Sequence, residues 1–146
     1  MSKVAKVTTG PQGCTNFKLR QLTRLVSQHC EPHFAAAGLK TTQYSLLSHI
    51  DLLGPIGPGE LARRMDLDAS TLTRNLQPLI AGGWVEMGPG EDARSRLVQA
   101  TPEGHAKRQA MKADWKRAQL GLNEKLGDER VLKLHALLDE CLELLR

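Results

Sequence analysis

The segment EDARSR, residues 91–96, places two carboxylates and two guanidinium groups within six positions. Arg94 and Arg96 suit phosphate or the negative potential of a DNA minor groove, because a guanidinium group is planar and always charged. An acid here repels phosphate unless it fixes an arginine, so we interpret Asp92 as a brace for Arg94. All three are candidate DNA-contacting residues.

A second polar group lies upstream, in the segment STLTRN at residues 70–75. Leu72 lies within this segment and Leu76 directly after it, four residues apart, which is helical spacing. The pattern predicts a helix whose apolar face packs on the protein and whose polar face lies in solvent. Hydroxyl, amide and guanidinium groups on such a face can read base edges when the helix enters a major groove. The polar candidates are Ser70, Thr71, Thr73, Arg74 and Asn75.

A third group is HCEPH, residues 29–33, which puts His29 and His33 four positions apart and on one helix face. Zinc sites use such spacing. Pro32 acts against the required geometry, and two histidines need further ligands. The possible further ligands are His49, His105 and His135. Surface or pocket histidines are the favoured interpretation, and the sequence predicts neither a metal nor a cofactor.

The three cysteines, Cys14, Cys30 and Cys141, are odd in number and widely spaced, which does not indicate a secreted disulfide framework. Cys14 opens the first predicted helix, where helix amides favour a thiolate. Cys14 is therefore the candidate redox residue, although a buried or unreactive thiol is the default interpretation for all three.

Composition bounds the fold. With 146 residues the chain is long enough for one domain, and its 40% hydrophobic but only 3% aromatic content leaves the core to aliphatic side chains, which favours helices. The formal net charge of +4 leans mildly towards a polyanionic partner. Neither a membrane-spanning run nor the apolar region of a signal peptide is present, so we expect a cytoplasmic location.

Apolar periodicity divides the chain into helices and one hairpin. The helices are predicted over residues 14–37, from Thr41 or Thr42 to Leu53, over 60–65, along an apolar run from Leu72 to Ile80 that ends at Gly82-Gly83, over 101–126, and, after Gly127-Asp128, along a Leu-rich run from Val131 to Leu145. The strands are predicted over 84–87 and 97–99. Pro32 predicts a kink or break near His29. The fold class is therefore mainly α, with about six helices and a β-hairpin.

The middle of this layout predicts a helix-turn-helix. This motif consists of a short helix, a tight connection and a second helix with a polar first turn. The arrangement presents the side chains of the second helix to a major groove. Leu61, Ala62 and Met65 are predicted to face inward, and Leu67 to fill the turn. The charged hairpin that follows then acts as a wing, with Arg94 or Arg96 entering an adjacent minor groove.

The same segment resembles a known family. LDASTLTRNLQPLIAGGWVE is followed by the wing pattern Asp92-x-Arg94-Ser95-x-x-Val98-x-x-Thr101-x-x-Gly104, and together they resemble the MarR (multiple-antibiotic-resistance regulator) family of winged helix-turn-helix transcription factors. The match extends from TNFKLRQLTRLVSQHCEPHFAAAGLKTTQYSLL to the terminal helix. Ala100 replaces the leucine usual before the threonine, at a packing position.

The resemblance implies a homodimer that binds a pseudo-palindromic double-stranded DNA operator, usually as a repressor, and an effector that alters DNA affinity. One MarR-type domain would fill residues 1–146, with dimerisation helices at 14–37 and 102–146 and the DNA-binding lobe at 42–101. The leucines of the last helix also favour a dimer, because they are more numerous than one face of an isolated helix should expose to water.

The favoured effector is a small aromatic anion held between the dimerisation helices and the DNA-binding lobe. The residues proposed for it, by location and chemistry, are Arg20, His33, Tyr44 and Ser48. An oxidant is an alternative, but aligning the chain with organic-hydroperoxide sensors of the family places the sensor cysteine at Asn16 rather than Cys14. The tyrosine partners of that cysteine fall at Cys30 and Thr41. Zinc sensing through HCEPH is the other alternative.

Two other classes of protein are weighed against a regulator. An enzyme is not indicated, since the chain carries no nucleophile elbow, and the GPIGPGE segment lacks the Lys-Ser or Lys-Thr of a phosphate loop. A helical adaptor that binds protein through its leucine face remains the alternative of another class, and specific retardation of a promoter fragment would separate the two.

Overall fold

The computed structural model of the protein describes residues 12–92 and 94–146. These residues form six α-helices and one two-stranded antiparallel sheet, as the sequence predicts. The helices are α1 (Thr15–Phe34), α2 (Thr41–Leu53), α3 (Pro58–Arg64), α4 (Ala69–Ala81), α5 (Pro102–Leu126) and α6 (Asp128–Leu145). The strands are β1 (Val85–Pro89) and β2 (Arg96–Ala100).

The alternative of a break near His29 is wrong, because α1 continues through Pro32 to Phe34. Pro32 lies in the last turn, so the lost N–H removes one bond near the helix end rather than in its middle. The chain tightens into a 3₁₀ turn at Ala35–Ala37 and stops at Gly38, whose φ of 76° gives the left-handed cap that the sequence predicts.

Helices α2 and α3 begin at residues other than those predicted. Lys40 caps α2, and Thr41 is already helical; the Lys40 backbone N–H donates to Gln43 Oε1 at 2.8 Å, so the glutamine satisfies the cap in place of a threonine. Helix α3 begins at Pro58, two residues before Glu60, because a proline is well tolerated in the first helical turn.

One hydrophobic core lies between α2, α3, α4 and the hairpin, which together form the lobe predicted over residues 42–101. Leu72, Leu76 and Leu79 hold α4 against this core, and all three are buried as predicted. Leu61 and Ala62 are also buried, whereas Met65 and Leu67 pack against the core from half-buried positions. Because the leucine face of α4 packs on this core, the opposite, polar face of the helix is turned towards solvent.

The hairpin is longer than predicted and has an additional partner. Its register pairs Val85 with Ala100 and Pro89 with Arg96. Ile56 adds a single bridge, since its N–H donates to the Val98 carbonyl at 3.0 Å and its carbonyl accepts from the Val98 N–H at 2.8 Å. A single paired residue produces no alternating pattern, so the sequence did not indicate it.

Helix α4, the hairpin and α5 meet at one junction. The Thr101 N–H donates to the Trp84 carbonyl at 3.0 Å, and the Thr101 hydroxyl donates to the Gly83 carbonyl at 2.6 Å. The same hydroxyl oxygen accepts from the Gly104 N–H at 3.0 Å and so caps α5. A Cβ on Gly104 would lie 1.8 Å from the Trp84 carbonyl oxygen, so only glycine fits there.

Helices α1, α5 and α6 form a second layer, in which α1 and α6 pack on α5. Large apolar side chains remain exposed on α6, among them Leu132, Leu137, Leu142, Leu144 and Leu145. At the end of this helix Arg146 Nη2 lies 2.8 Å from Asp66 Oδ2, in the turn between α3 and α4. None of the helices in residues 12–92 and 94–146 has both the length and the apolarity needed to cross a bilayer.

Asp68 begins α4. Its Oδ1 accepts from the Thr71 N–H at 2.7 Å and from the Ser70 hydroxyl at 2.8 Å. The Thr71 amide and the Ser70 hydroxyl both bind the ionised carboxylate, which lowers the pKa of Asp68 from 3.8 to about 2. The ionised form of this side chain is thus the one that stabilises the helix start.

Gly104→Ala is predicted to destabilise the fold by about 3 kcal/mol, because the added methyl would overlap the Trp84 backbone and force the junction apart. Urea denaturation measures the change. Gly59→Ala is the matched control: its Cβ meets nothing within 4 Å, so the same substitution in α3 should leave stability unchanged or raise it by about 0.5–1 kcal/mol. Equal effects of the two substitutions would contradict the close contact.

Asp68→Asn is predicted to flatten the acid dependence of stability. A folded pKa below the unfolded one contributes stability that is fully present above the unfolded pKa and is lost as pH falls towards the folded pKa, here from about 4 towards about 2. Asparagine is an equally good cap but does not titrate. Thermal unfolding across this range should show a shallower slope for the variant, and an unchanged slope would argue against the ionised cap.

Candidate nucleic-acid interface and adjoining cleft

The polar residues predicted on α4 lie together at its N-terminal half. Ser70, Thr73 and Arg74 are exposed, and Thr71 and Asn75 are half-buried. The predicted register of this helix is therefore the one observed, with its leucines inward.

The hydroxyl groups of this face are held by local hydrogen bonds. Ser70 Oγ donates to Asp68 Oδ1 at 2.8 Å, and Thr73 Oγ1 donates to the Ala69 carbonyl at 2.9 Å. Arg74 Nη2 lies 3.5 Å from Thr71 Oγ1, at the outer limit of a hydrogen bond. The first turn of α4 thus presents side chains whose rotamers are already restrained.

The predicted brace between Asp92 and the Arg94 guanidinium is wrong. Asp92 Oδ1 instead accepts from the backbone N–H groups of Arg94 and Ser95, each at 2.8 Å. A short carboxylate two residues before its target reaches the main chain of a tight turn more easily than the end of a long side chain. These two amides lower the pKa of Asp92.

Both wing arginines, Arg94 and Arg96, are exposed. Within the described residues no carboxylate lies within ion-pair distance of either guanidinium group. Asp92 therefore shapes the turn that carries Arg94 and leaves the cation available to another partner.

A charged cluster at the end of α3 was not anticipated. Glu60 lies between two arginines, with Oε1 2.6 Å from Arg63 Nη2 and 3.1 Å from Arg64 Nε. The hydrogen bond from Arg63, and to a smaller extent the one from Arg64, lowers the pKa of Glu60 to about 2. The spacing of Glu60 from the two arginines, three and four residues, is the sequence signal that could have revealed this cluster.

A cleft of about 270 Å³ lies between α2 and α5. Its lining residues are Tyr44, Ser45, Ser48, His49, Arg108, Lys112 and Trp115. Tyr44 is buried and stacks on Phe34 with ring centroids 5.3 Å apart. The Ser48 hydroxyl oxygen is buried without a hydrogen-bond partner in the described residues.

One of the cleft cations is already paired. Arg108 Nη1 donates to Asp51 Oδ2 at 2.9 Å, and His105 Nδ1 lies 2.9 Å from Asp51 Oδ1. Burial raises the pKa of Asp51, but the hydrogen bonds from His105 and Arg108 outweigh it, so the pKa of Asp51 is lowered overall. This buried carboxylate ties α2 to α5 directly beside the cleft.

The cleft contains only part of the predicted effector site. Tyr44 and Ser48 line it, whereas Arg20 and His33 do not. Arg20 points to solvent from α1, and His33 lies half-buried beside His29, their ring centroids 5.8 Å apart. The sequence did not indicate that Arg108, Lys112 and Trp115 of α5 line the cleft, because α5 shows little amphipathic pattern and its cleft-facing side is defined only by its packing on α2.

The structure does not assemble the histidines into one site. His49 Nδ1 lies 2.7 Å from the Ser45 carbonyl, His105 contacts Asp51, and His135 lines a separate groove. Residues 12–92 and 94–146 contain no group of three or more His, Cys, Asp or Glu side chains placed to hold a metal ion.

The cysteines are separate and unpaired within the described residues. Cys14 is exposed and precedes α1, as predicted, and Cys141 is exposed on α6. Cys30 is half-buried, and burial raises the pKa of its thiol.

An apolar groove of about 300 Å³ runs between α1, α5 and α6. Its aliphatic lining residues are Leu19, Leu22, Val26, Leu122, Leu126, Val131, Leu134 and Leu138. The groove and the exposed leucines of α6 both present apolar surface to solvent in the single subunit.

Comparison with known proteins gives consistent sequence matches. A family model described as MarR family matches residues 37–95, which cover α2 to the wing. The HTH-type transcriptional regulator YwoH of Bacillus subtilis is 31% identical over 90 residues, and the multiple antibiotic resistance protein MarR of Salmonella typhimurium is 36% identical over 84 residues. These matches span 62% and 57% of this chain but 66% and 56% of the two relatives.

Solved structures extend the likeness over most of the chain. The M. tuberculosis transcriptional regulator MosR in complex with DNA is 31% identical, with a TM-score of 0.77 over 92% of this chain and 99% of that one. A MarR variant of E. coli in complex with operator DNA is 25% identical, with a TM-score of 0.79 over 87% of this chain and 92% of that one. The chain therefore belongs to the MarR family of winged helix-turn-helix transcriptional regulators.

Proposed function

We propose that this regulator is a homodimeric repressor that binds a pseudo-palindromic operator and leaves it when a small aromatic anion occupies the α2–α5 cleft. The observation that carries the DNA-binding part is that one lobe bears both the exposed polar first turn of α4 and the exposed arginines of the wing, whose strand β1 packs on α4. Solved relatives in complex with DNA support this interpretation.

In the proposed complex α4 lies in a major groove, and its exposed polar residues contact base edges or adjacent phosphates. The wing follows the neighbouring minor groove, where Arg94 and Arg96 meet a concentrated negative potential. Their guanidinium groups have no ion pair to break within the described residues, so contact with DNA requires no intramolecular competitor to be displaced.

The proposed dimer rests on the apolar surface of the second layer. Leu132 is 71% exposed and Leu137 is 59% exposed in the single subunit, beside the groove between α1, α5 and α6. Contiguous apolar surface of this kind is normally covered in a soluble protein. A second copy covers it with the same residues and sets two wings on one side, which matches a two-fold operator.

The chemistry of the cleft favours an aromatic anion. Trp115 is 46% exposed and offers a ring face, and Ser48 offers an unsatisfied hydroxyl. Arg108 is engaged by Asp51, so Lys112, which has no carboxylate partner in the described residues, is the cation left for an acid group. Because the cleft lies between α2 of the DNA-binding lobe and α5 of the other layer, a ligand there can bind two lobe arrangements with different affinity.

Arg94→Ala is predicted to weaken operator binding by about 1–3 kcal/mol and to reduce the salt slope by about one contact per subunit. Asp92→Ala should act in the same direction by releasing the turn that carries Arg94. Fluorescence anisotropy at two salt concentrations, with operator recovered by capture of genomic DNA, measures both. Arg117→Ala, in the other layer, is the control, and unchanged affinity in both wing variants would remove the wing from the interface.

Leu137→Glu is predicted to give a monomer at micromolar concentration, because a carboxylate buried in an apolar interface is strongly disfavoured. The residue is exposed in the subunit, so the subunit itself should stay folded. Light scattering gives the mass. Leu52→Glu, on a leucine of α2 that is 69% exposed, is the control and should keep the parent mass. A dimer that persists with Leu137→Glu would place the interface elsewhere.

Lys112→Met is predicted to raise the concentration of an aromatic carboxylate needed to release operator by about tenfold or more, since a charge-assisted contact is lost while side-chain length is kept. The release is followed by anisotropy with benzoate-type acids and with their neutral amides as probes. Arg20→Ala should respond as the parent does. The cleft would be excluded if Lys112→Met responded normally and Arg20→Ala did not.

A further inference from the structure

The donor and acceptor state of the α4 hydroxyls can be assigned from their partners. Ser70 Oγ lies 2.8 Å from Asp68 Oδ1. The pKa of Asp68 is about 2, so near neutral pH the carboxylate carries no proton and accepts only. The serine must therefore be the donor, and its one proton is consumed inside the helix start.

The same reasoning applies one turn further along. Thr73 Oγ1 lies 2.9 Å from the Ala69 carbonyl oxygen. A carbonyl oxygen has no proton to give, so the threonine hydroxyl is again the donor. Both Ser70 and Thr73 are exposed, and what their oxygens present to solvent is lone pairs.

Thr71 differs from its neighbours. The atom 3.5 Å from its hydroxyl oxygen is Arg74 Nη2, and a guanidinium group can only donate. Thr71 is thus the acceptor in this long contact and keeps its own proton. Thr71 can therefore still donate a hydrogen bond, whereas Ser70 and Thr73 on either side of it can only accept one.

We propose that Ser70 and Thr73 read the operator as hydrogen-bond acceptors only, and that the base each of them faces in the major groove is therefore cytosine or adenine, which present the amino donors N4 and N6, rather than guanine or thymine, which present only acceptors there. This inference rests on the proposed function, in which α4 enters that groove. It names the chemistry of the bases recognised rather than the fact of binding.

Phosphate contacts do not fit these two hydroxyls. A phosphate oxygen is an acceptor, so it cannot bond to a hydroxyl whose proton is already used. The Asp68 carboxylate also disfavours a phosphate at this position, because like charges repel. Its Oδ1 accepts both internal hydrogen bonds, and the charged side chain remains exposed beside Ser70. The charge-assisted bond from Ser70 is also the stronger kind, which opposes turning its proton outward. An amino group on a base edge meets the lone pairs without breaking either bond.

The test uses the full-length protein and the operator half-site recovered from genomic DNA. Each adenine is replaced in turn by purine, and each cytosine by 2-pyrimidinone, which removes the amino group. 7-Deazapurines at adenine and guanine positions remove the N7 acceptor instead and serve as matched controls. Affinity is measured by anisotropy for the parent, Ser70→Ala and Thr73→Val, while Thr73→Ser restores the hydroxyl. Circular dichroism checks that each variant is folded.

At one or two positions, loss of an amino group should weaken parent binding about 5- to 50-fold, the range of one good base contact. At the matching position Ser70→Ala or Thr73→Val should be affected less than about twofold, and Thr73→Ser should behave as the parent. The inference is overturned if the positions coupled to these side chains are guanine or thymine, or if both variants respond to every analogue as the parent does. Absence of any specific DNA binding would instead overturn the proposed function and the inference with it.

Discussion

The close fit of Gly104 against the Trp84 carbonyl is the constraint on which the DNA-binding lobe depends. Helix α5 can approach this carbonyl only where no Cβ intervenes. The Thr101 hydroxyl uses its proton on Gly83 and its lone pair on the Gly104 amide, so a single side chain joins the end of α4, the end of the hairpin and the start of α5. Helix α4 and the wing are therefore fixed relative to the helix that leads to the other layer.

Two acidic side chains, one at the start of α4 and one in the wing turn, share one mode of action. Asp68 and Asp92 each bind backbone amides, of Thr71 in one case and of Arg94 and Ser95 in the other. Each fixes the main chain under the groups proposed to meet DNA instead of neutralising a cation. Asp51 does the comparable task between the layers, but through Arg108 and His105. Carboxylates thus set the geometry of the interface and of the cleft.

The sequence predicted features that depend on local pattern. The leucine spacing of α4, the start of α5 near Thr101 and the abundant leucines of α6 follow from apolar periodicity. Features that depend on contacts between distant segments were not accessible: the Ile56 bridge, the Arg146–Asp66 pair and the α5 side of the cleft. The error at Asp92 has a local cause, since charge pairing was preferred over the hydrogen bonds that a turn offers to its own backbone.

The turn made by Asp92 also has a kinetic consequence. Glu91 and Asp92 cancel the formal charge of Arg94 and Arg96, and the lowered pKa of Asp92 keeps its negative charge in place at neutral pH. Beyond the screening distance of about 8 Å at physiological salt, such a tip exerts little net attraction on a polyanion. For a protein that binds DNA through this hairpin, the wing then adds little to the rate of arrival, which long-range charge governs. Its arginines act after contact, and they lengthen the time that the protein stays bound.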